Sequence, residues 1–189
     1  STNHALDYGQ GGLKDCQKNL TEAGIQWAYN TDTFTFERNG VKFAVLSFRR
    51  YYMEMYYQWI EKEIPRMKAE DGVDFVIVCL HHGEEYQDKH NDKDQTRFAR
   101  HAIDSGADLV VGTHPHVLQG IEVYKNRLIF YSLGNFVFGG NKNPLSDKKT
   151  AKQIPTALMS VELQFDQNQL YSTLLTIHPY YETGDEQIN

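Results

Sequence analysis

Cysteine is scarce: Cys16 and Cys79 are the only two in 189 residues. That count excludes a disulfide scaffold and argues against a structural zinc site, which draws on clustered thiolates. Cys16 falls on an apolar helix face and Cys79 within a run of valines and isoleucines, so both are expected as buried free thiols. Long hydrophobic runs are also missing. No segment approaches the roughly 18–20 apolar residues that a spanning helix needs. The opening Ser1-Thr2-Asn3-His4 is neither an initiator methionine nor a secretion signal, although a signal removed by processing would leave no trace. Basic clusters are lacking too. Lys and Arg number 19 against 25 Asp and Glu, a net charge of −6, and no basic run is long enough to follow a phosphate backbone. Nucleic acid is therefore not the expected partner. There is no internal repeat and no low-complexity tract.

What remains is a chain of single-domain length, 1–189, able to bury a real core. Leu13, Cys16, Leu20 and Ala23 recur at helical spacing, which predicts a helix from Gly12 to Glu22 ending near Gly24. Thr33 to Glu37 and Val41 to Ser47 read as a hairpin turned by Arg38-Asn39-Gly40. Tyr56, Trp59, Ile60, Ile64 and Met67 predict a helix that Pro65 should kink or break near Ile64. Asp74 to Leu80 is a continuous apolar run, as in a central parallel strand covered on both faces. Thr96 to Ser105 is a helix that leads, past Gly106, into a strand at 107–111. Gly120–Tyr124 with Leu128–Ser132, and Ala157–Phe165 with Leu170–Ile177, read as later strands, and the polar stretch Asn141–Gln153 as a loop.

The chemistry concentrates at strand ends. Asp74–Leu80 runs into His81-His82-Gly83, and Ala107–Val111 runs into Gly112-Thr113-His114-Pro115-His116. In open α/β sheets ligands collect at the carboxyl ends of the strands, so His81, His114 and His116 can converge. Alternation along the strand sends His82 to the opposite side from His81. Asn3 and His4 sit just before the first helix. Asp7 either orients the His4 imidazole or caps that helix. Imidazole nitrogens with an Asn carbonyl suit Zn, Mn, Fe or Co. A metal there could polarise a phosphoryl or carbonyl oxygen and lower the pKa of bound water. His90, His101 and His178 read as ordinary surface or helix residues. Tyrosine is plentiful, with 12 copies. The pairs Tyr51-Tyr52 and Tyr56-Tyr57 fit an amphipathic helix with aromatic anchors better than a polymer-binding surface.

Four segments together resemble the capsule-synthesis CapA family, linked to poly-gamma-glutamate production, of the calcineurin-like metallophosphoesterase superfamily. They are Asn3–Gly9, Leu80–Tyr86, Val111–Gln119 and Phe130–Phe138, in family order. The resemblance implies an α/β fold, a sandwich of two mixed sheets flanked by helices, with two divalent transition metal ions (Mn, Zn or Fe) at the strand ends. By motif, Asn3, His81, His114 and His116 are metal ligands, with His114 sharing one metal with Asn3 and His81, and His116 serving the other. His4 would contact substrate and protonate the leaving group, with Asp7 beside it. The superfamily's acidic ligands lie upstream of the Asn-His pair, two residues before which this sequence begins. The acidic half of the site and the first strands are thus expected outside these residues. His82 stands where relatives often carry tryptophan.

The implied function is a metal-dependent hydrolase of capsule or poly-gamma-glutamate biosynthesis. It would act on a phosphate ester or a gamma-glutamyl polymer linkage in the bacterial cell envelope, alongside membrane partners of capsule synthesis and anchored through a segment outside these residues. The alternative is a non-catalytic polymer-binding or assembly subunit presenting Tyr51, Tyr52, Tyr56, Tyr57 and Tyr86.

Overall fold

The structure, a computed structural model, describes residues 2–49, 53–136 and 154–182. A short 3-10 turn, Asn3–Leu6, leads into helix α1 (Gly9–Glu22). Strands β1 (Asn30–Arg38) and β2 (Val41–Arg49) form the expected hairpin, with Asn39 and Gly40 at φ 53° and 80° supplying the turn whose twist matches the flanking strands. Then follow α2 (Met53–Ala69), β3 (Phe75–His81), α3 (Arg97–Asp104), β4 (Leu109–Thr113), β5 (Ile121–Tyr124), β6 (Arg127–Phe130), β7 (Ile154–Asp166) and β8 (Gln169–Glu182).

Six strands make one sheet in the order β1-β2-β3-β4-β6-β5. The inner four are mutually parallel, while β1 and β5 are antiparallel edges. β7 and β8 form a separate two-stranded sheet. The buried β2 and β3 divide their side chains by parity. Ala44, Leu46, Phe48, Val76, Val78 and Leu80 face Tyr56, Ile60, Ile64 and Met67 of α2 and Phe98 and Ala102 of α3. Phe43, Phe75, Leu109 and Phe130 face Met159, Val161, Leu163, Phe165 and Leu175 of the hairpin β7–β8. The result is a mixed α/β sandwich of two sheets with flanking helices, compatible with the calcineurin-like architecture. Burial on both faces is why β3 reads as an unbroken apolar run. Asp108 ties the frame at the amino end of β4: its buried carboxylate accepts from Val76 N–H at 2.9 Å and Lys68 Nζ at 2.6 Å, with Arg127 Nε at 3.2 Å.

Several expectations are corrected. α2 is not broken at Pro65 but runs through it. Ile60, Ile64 and Met67 bury against the sheet on both sides of the proline, each contributing about 1.5–3 kcal/mol, enough to offset the roughly 3 kcal/mol that an interior proline costs. Both cysteines are free thiols; Cys16 is exposed, because α1 buries none of its residues, and Cys79 on β3 is half-buried. In keeping with the aromatic anchors expected of an amphipathic helix, Tyr56 is fully buried and the half-buried Tyr57 packs against the same core. Tyr51 and Tyr52, and the loop expected over Asn141–Gln153, lie outside the described residues. No helix among the described residues is long and apolar enough to cross a membrane.

Candidate metal centre

The parallel order brings the carboxyl ends of β2, β3 and β4 together, with Arg49 opposite His81 and His81 opposite Thr113 in the register. β4 must approach β6 closely here. Gly112 is buried, and a Cβ on it would lie 2.1 Å from the Tyr131 carbonyl oxygen, so no other residue fits without moving a strand. Immediately beyond, the chain turns sharply: His114 has φ 102° and His116 φ 62°, on either side of Pro115. Positive φ at two non-glycine residues costs on the order of 1–3 kcal/mol each and clusters at functional sites. Here it aims both imidazoles back toward His81.

The His81 and His114 ring centroids are 4.8 Å apart, and those of His114 and His116 are 6.2 Å apart. His81 Nε2 lies 2.7 Å from Asn3 Oδ1, and His81 Nδ1 lies 3.1 Å from Thr113 Oγ1. Partial burial, then the neighbouring His114, lowers the His81 pKa to about 4, so its imidazole is neutral near pH 7 and its lone pair available. A second grouping lies alongside: the donor atoms of Glu85, His114 and His116 all fall within 4.8 Å of one another. His114 is thus shared between the Asn3/His81 side and the Glu85/His116 side.

Outer contacts hold this arrangement. Asn135 Oδ1 sits 2.9 Å from His116 Nδ1, a contact that fixes the orientation of the His116 ring. Tyr86, itself at φ 59°, stacks on the His116 ring and donates its backbone N–H to the Pro115 carbonyl at 2.8 Å. The loop carrying Glu85 and Tyr86 is pinned from below. Gln95 Nε2 donates to Gln119 Oε1 at 2.7 Å in the core, and Gln119 Nε2 donates to the Gln87 carbonyl at 2.9 Å.

His4 and Asp7 form their own pair, Nδ1 to Oδ2 at 2.8 Å, both exposed. Asp7 therefore orients the imidazole, and α1 has no side-chain cap. His4 lines the mouth of an apolar groove of about 610 Å³ between α1 and the sheet, walled by Leu13, Leu20, Trp27 and Val45. His82, as alternation requires, turns away from His81 and is buried. His90 stacks flat on Tyr131, His101 packs on Tyr57, and His178 is exposed on β8.

All six residues singled out from sequence, Asn3, His4, Asp7, His81, His114 and His116, lie at this end of the sheet. Glu85 and Asn135 were missed, although both sit inside segments that the sequence reading had marked. The donor set, three imidazoles with one amide oxygen and one carboxylate, fits a borderline divalent transition ion better than calcium or magnesium, which take oxygen ligands.

Two capsule proteins are each 36% identical to this chain: the capsule biosynthesis protein CapA of Bacillus anthracis over 160 residues and the PGA biosynthesis protein CapA of Bacillus subtilis over 157. Both alignments take in 73% of this chain but only 39% and 41% of those proteins, so the chain spans about two fifths of their length. Among solved structures, a Staphylococcus aureus protein assigned as a 5′-nucleotidase, in complex with alpha-ketoglutarate, superposes over all of this chain and 38% of its own, with a TM-score of 0.53 at 16% identity. That identity speaks for shared fold alone. The family profile of the bacterial capsule synthesis protein PGA_cap matches residues 1–140, and the chain belongs to that family.

Proposed function

We propose that this chain carries the metal-binding part of a hydrolase of capsule or poly-gamma-glutamate biosynthesis in the bacterial cell envelope, acting on a phosphate ester or on a polymer linkage. The observation that carries the reading is the convergence, at the carboxyl ends of β3 and β4, of Asn3 with His81 and of Glu85 with His116, joined through His114. These five side chains would hold two divalent ions. Bound there, such ions supply Lewis acidity to a phosphoryl or carbonyl oxygen and lower the pKa of water. The protein's own groups do the rest. Thr113 and Asn135 fix the rings of His81 and His116. Asp7 accepts from His4 Nδ1–H, which turns Nε2 outward, where the doubly protonated ring can give its Nε2 proton to a leaving oxygen or nitrogen. Tyr86 closes one side of the site over His116.

Elemental analysis of protein saturated with Mn or Zn tests this. About two ions per chain are expected. His114→Ala should lower the content on both sides of the site while the unfolding transition survives, because a half-buried turn residue contributes little to the core. Absence of bound metal under saturating Mn and Zn would overturn the proposal.

A further inference from the structure

Arg49 ends β2 and is only 8% exposed. Its position in the register puts it beside His81, on the face of the sheet that also carries Ser47 and Cys79. Its guanidinium lies over the Tyr29 ring at 5.7 Å, and Tyr29 and His4 line the same groove. Among the described residues its Nε has no hydrogen-bond partner, and no carboxylate forms an ion pair with it. Among the described residues, the acidic groups at this end of the sheet are committed elsewhere: Asp7 to His4, and Glu85 to the imidazole cluster. Asp108 shows the contrasting case within the same molecule, a buried charge fully answered by Lys68 and Arg127.

A buried guanidinium cannot shed its charge, because arginine stays protonated at any accessible pH, and burial without a counter-charge is strongly unfavourable. Such a group persists where something anionic arrives to meet it. Its planar fork of donors matches the paired oxygens of phosphate and carboxylate. We propose that Arg49 is the anion-binding residue of this centre, receiving an oxyanion of the substrate, a phosphoryl or a carboxylate group, beside His81. This rests on the hydrolase reading for the substrate's identity, but anion binding by Arg49 can be measured without bound metal.

The test uses metal-free protein with inorganic phosphate and, separately, L-glutamate as probes, read by titration calorimetry and thermal unfolding. Wild type should bind at least one probe and melt higher in its presence. Arg49→Met should bind that probe at least 10-fold more weakly, lose the anion-dependent shift, and melt no lower than wild type in anion-free buffer. Arg49→Lys, which keeps the charge without the fork, should retain part of the binding and serves if the Met variant does not fold. Preference for phosphate assigns a phosphoryl group to the site, and preference for glutamate a carboxylate. Equal anion shifts in wild type and both variants, or no anion shift in wild type, would overturn the proposal. Mn uptake followed by electron paramagnetic resonance separates the two readings. If wild type binds phosphate through Arg49 but takes up no Mn, the metal reading fails and the anion site stands.

Discussion

Gly112→Ala is the substitution whose consequence the structure fixes most closely. The added methyl would sit 2.1 Å from the Tyr131 carbonyl oxygen, 2.7 Å from its carbon and 2.8 Å from the Phe130 oxygen, all backbone atoms at the carboxyl end of β6 and the residue just beyond it. Ordinary contact begins at 3.4 Å, so β4 and β6 must part by roughly 1.3 Å (3.4 minus 2.1). No rotamer change relieves a clash with backbone. The separation strains the Leu133 N–H to Gly112 carbonyl bond, now 3.0 Å, and the parallel pairing of Val111 with Phe130. Overpacking costs about 1–3 kcal/mol and a weakened backbone hydrogen bond about 1 kcal/mol more, so a loss of about 3 kcal/mol is expected. For a domain of this size that corresponds to a fall in Tm of about 6–12 °C. Metal affinity should fall with it, because the displaced strand end carries Thr113 and His114. Gly11→Ala is the control: it lies within α1, nothing comes within 4 Å of its added Cβ, and it should stabilise by about 0.5–1 kcal/mol. Calorimetric unfolding of both variants decides the matter. A Gly112→Ala protein within about 0.5 kcal/mol of wild type would refute the close approach of β4 and β6.

Three further outcomes are expected. Asn135→Ala releases the His116 Nδ1 proton from its acceptor and should weaken metal binding by about 10–100-fold at near-constant Tm, measured by competition with a chelating dye. Asp108→Ala leaves Lys68 and Arg127 without their buried partner and should cost about 3–5 kcal/mol in urea unfolding, while an effect below about 1 kcal/mol would show that the ion pairs are idle. In metal-free protein the His81 imidazole should titrate near pH 4 by NMR, because burial and then His114 oppose its charging. Since the folded value lies below the ordinary histidine value near 6.5, the folded state binds fewer protons between the two. The stability His81 contributes is therefore complete above about pH 6.5 and is lost as pH falls through about 4.

The sequence by itself determined the elements and the chemistry they carry. The unbroken apolar runs before His81 and Gly112 specified central parallel strands, and the Asn-Gly pair specified the first hairpin. Strand ends rich in histidine pointed to the candidate site, because these signals are local: each is read from residues a few positions apart. Tertiary structure decided everything that joins distant segments. Asn3 meets His81 across 78 positions, and His116 meets Asn135 across 19. Glu85 joins the imidazoles only because Gln95 and Gln119 pin its loop from within the core. Pro65 reads as a kink or a break, and only the burial of Ile64 and Met67 around it shows that the helix runs on, while Cys16 reads as buried until α1 is seen to leave it exposed. Arg49 looks like any strand-ending cation in the sequence. Only the packing of β2 beside β3 makes it a buried charge in need of an anion, since periodicity records which face a side chain takes and not what waits there.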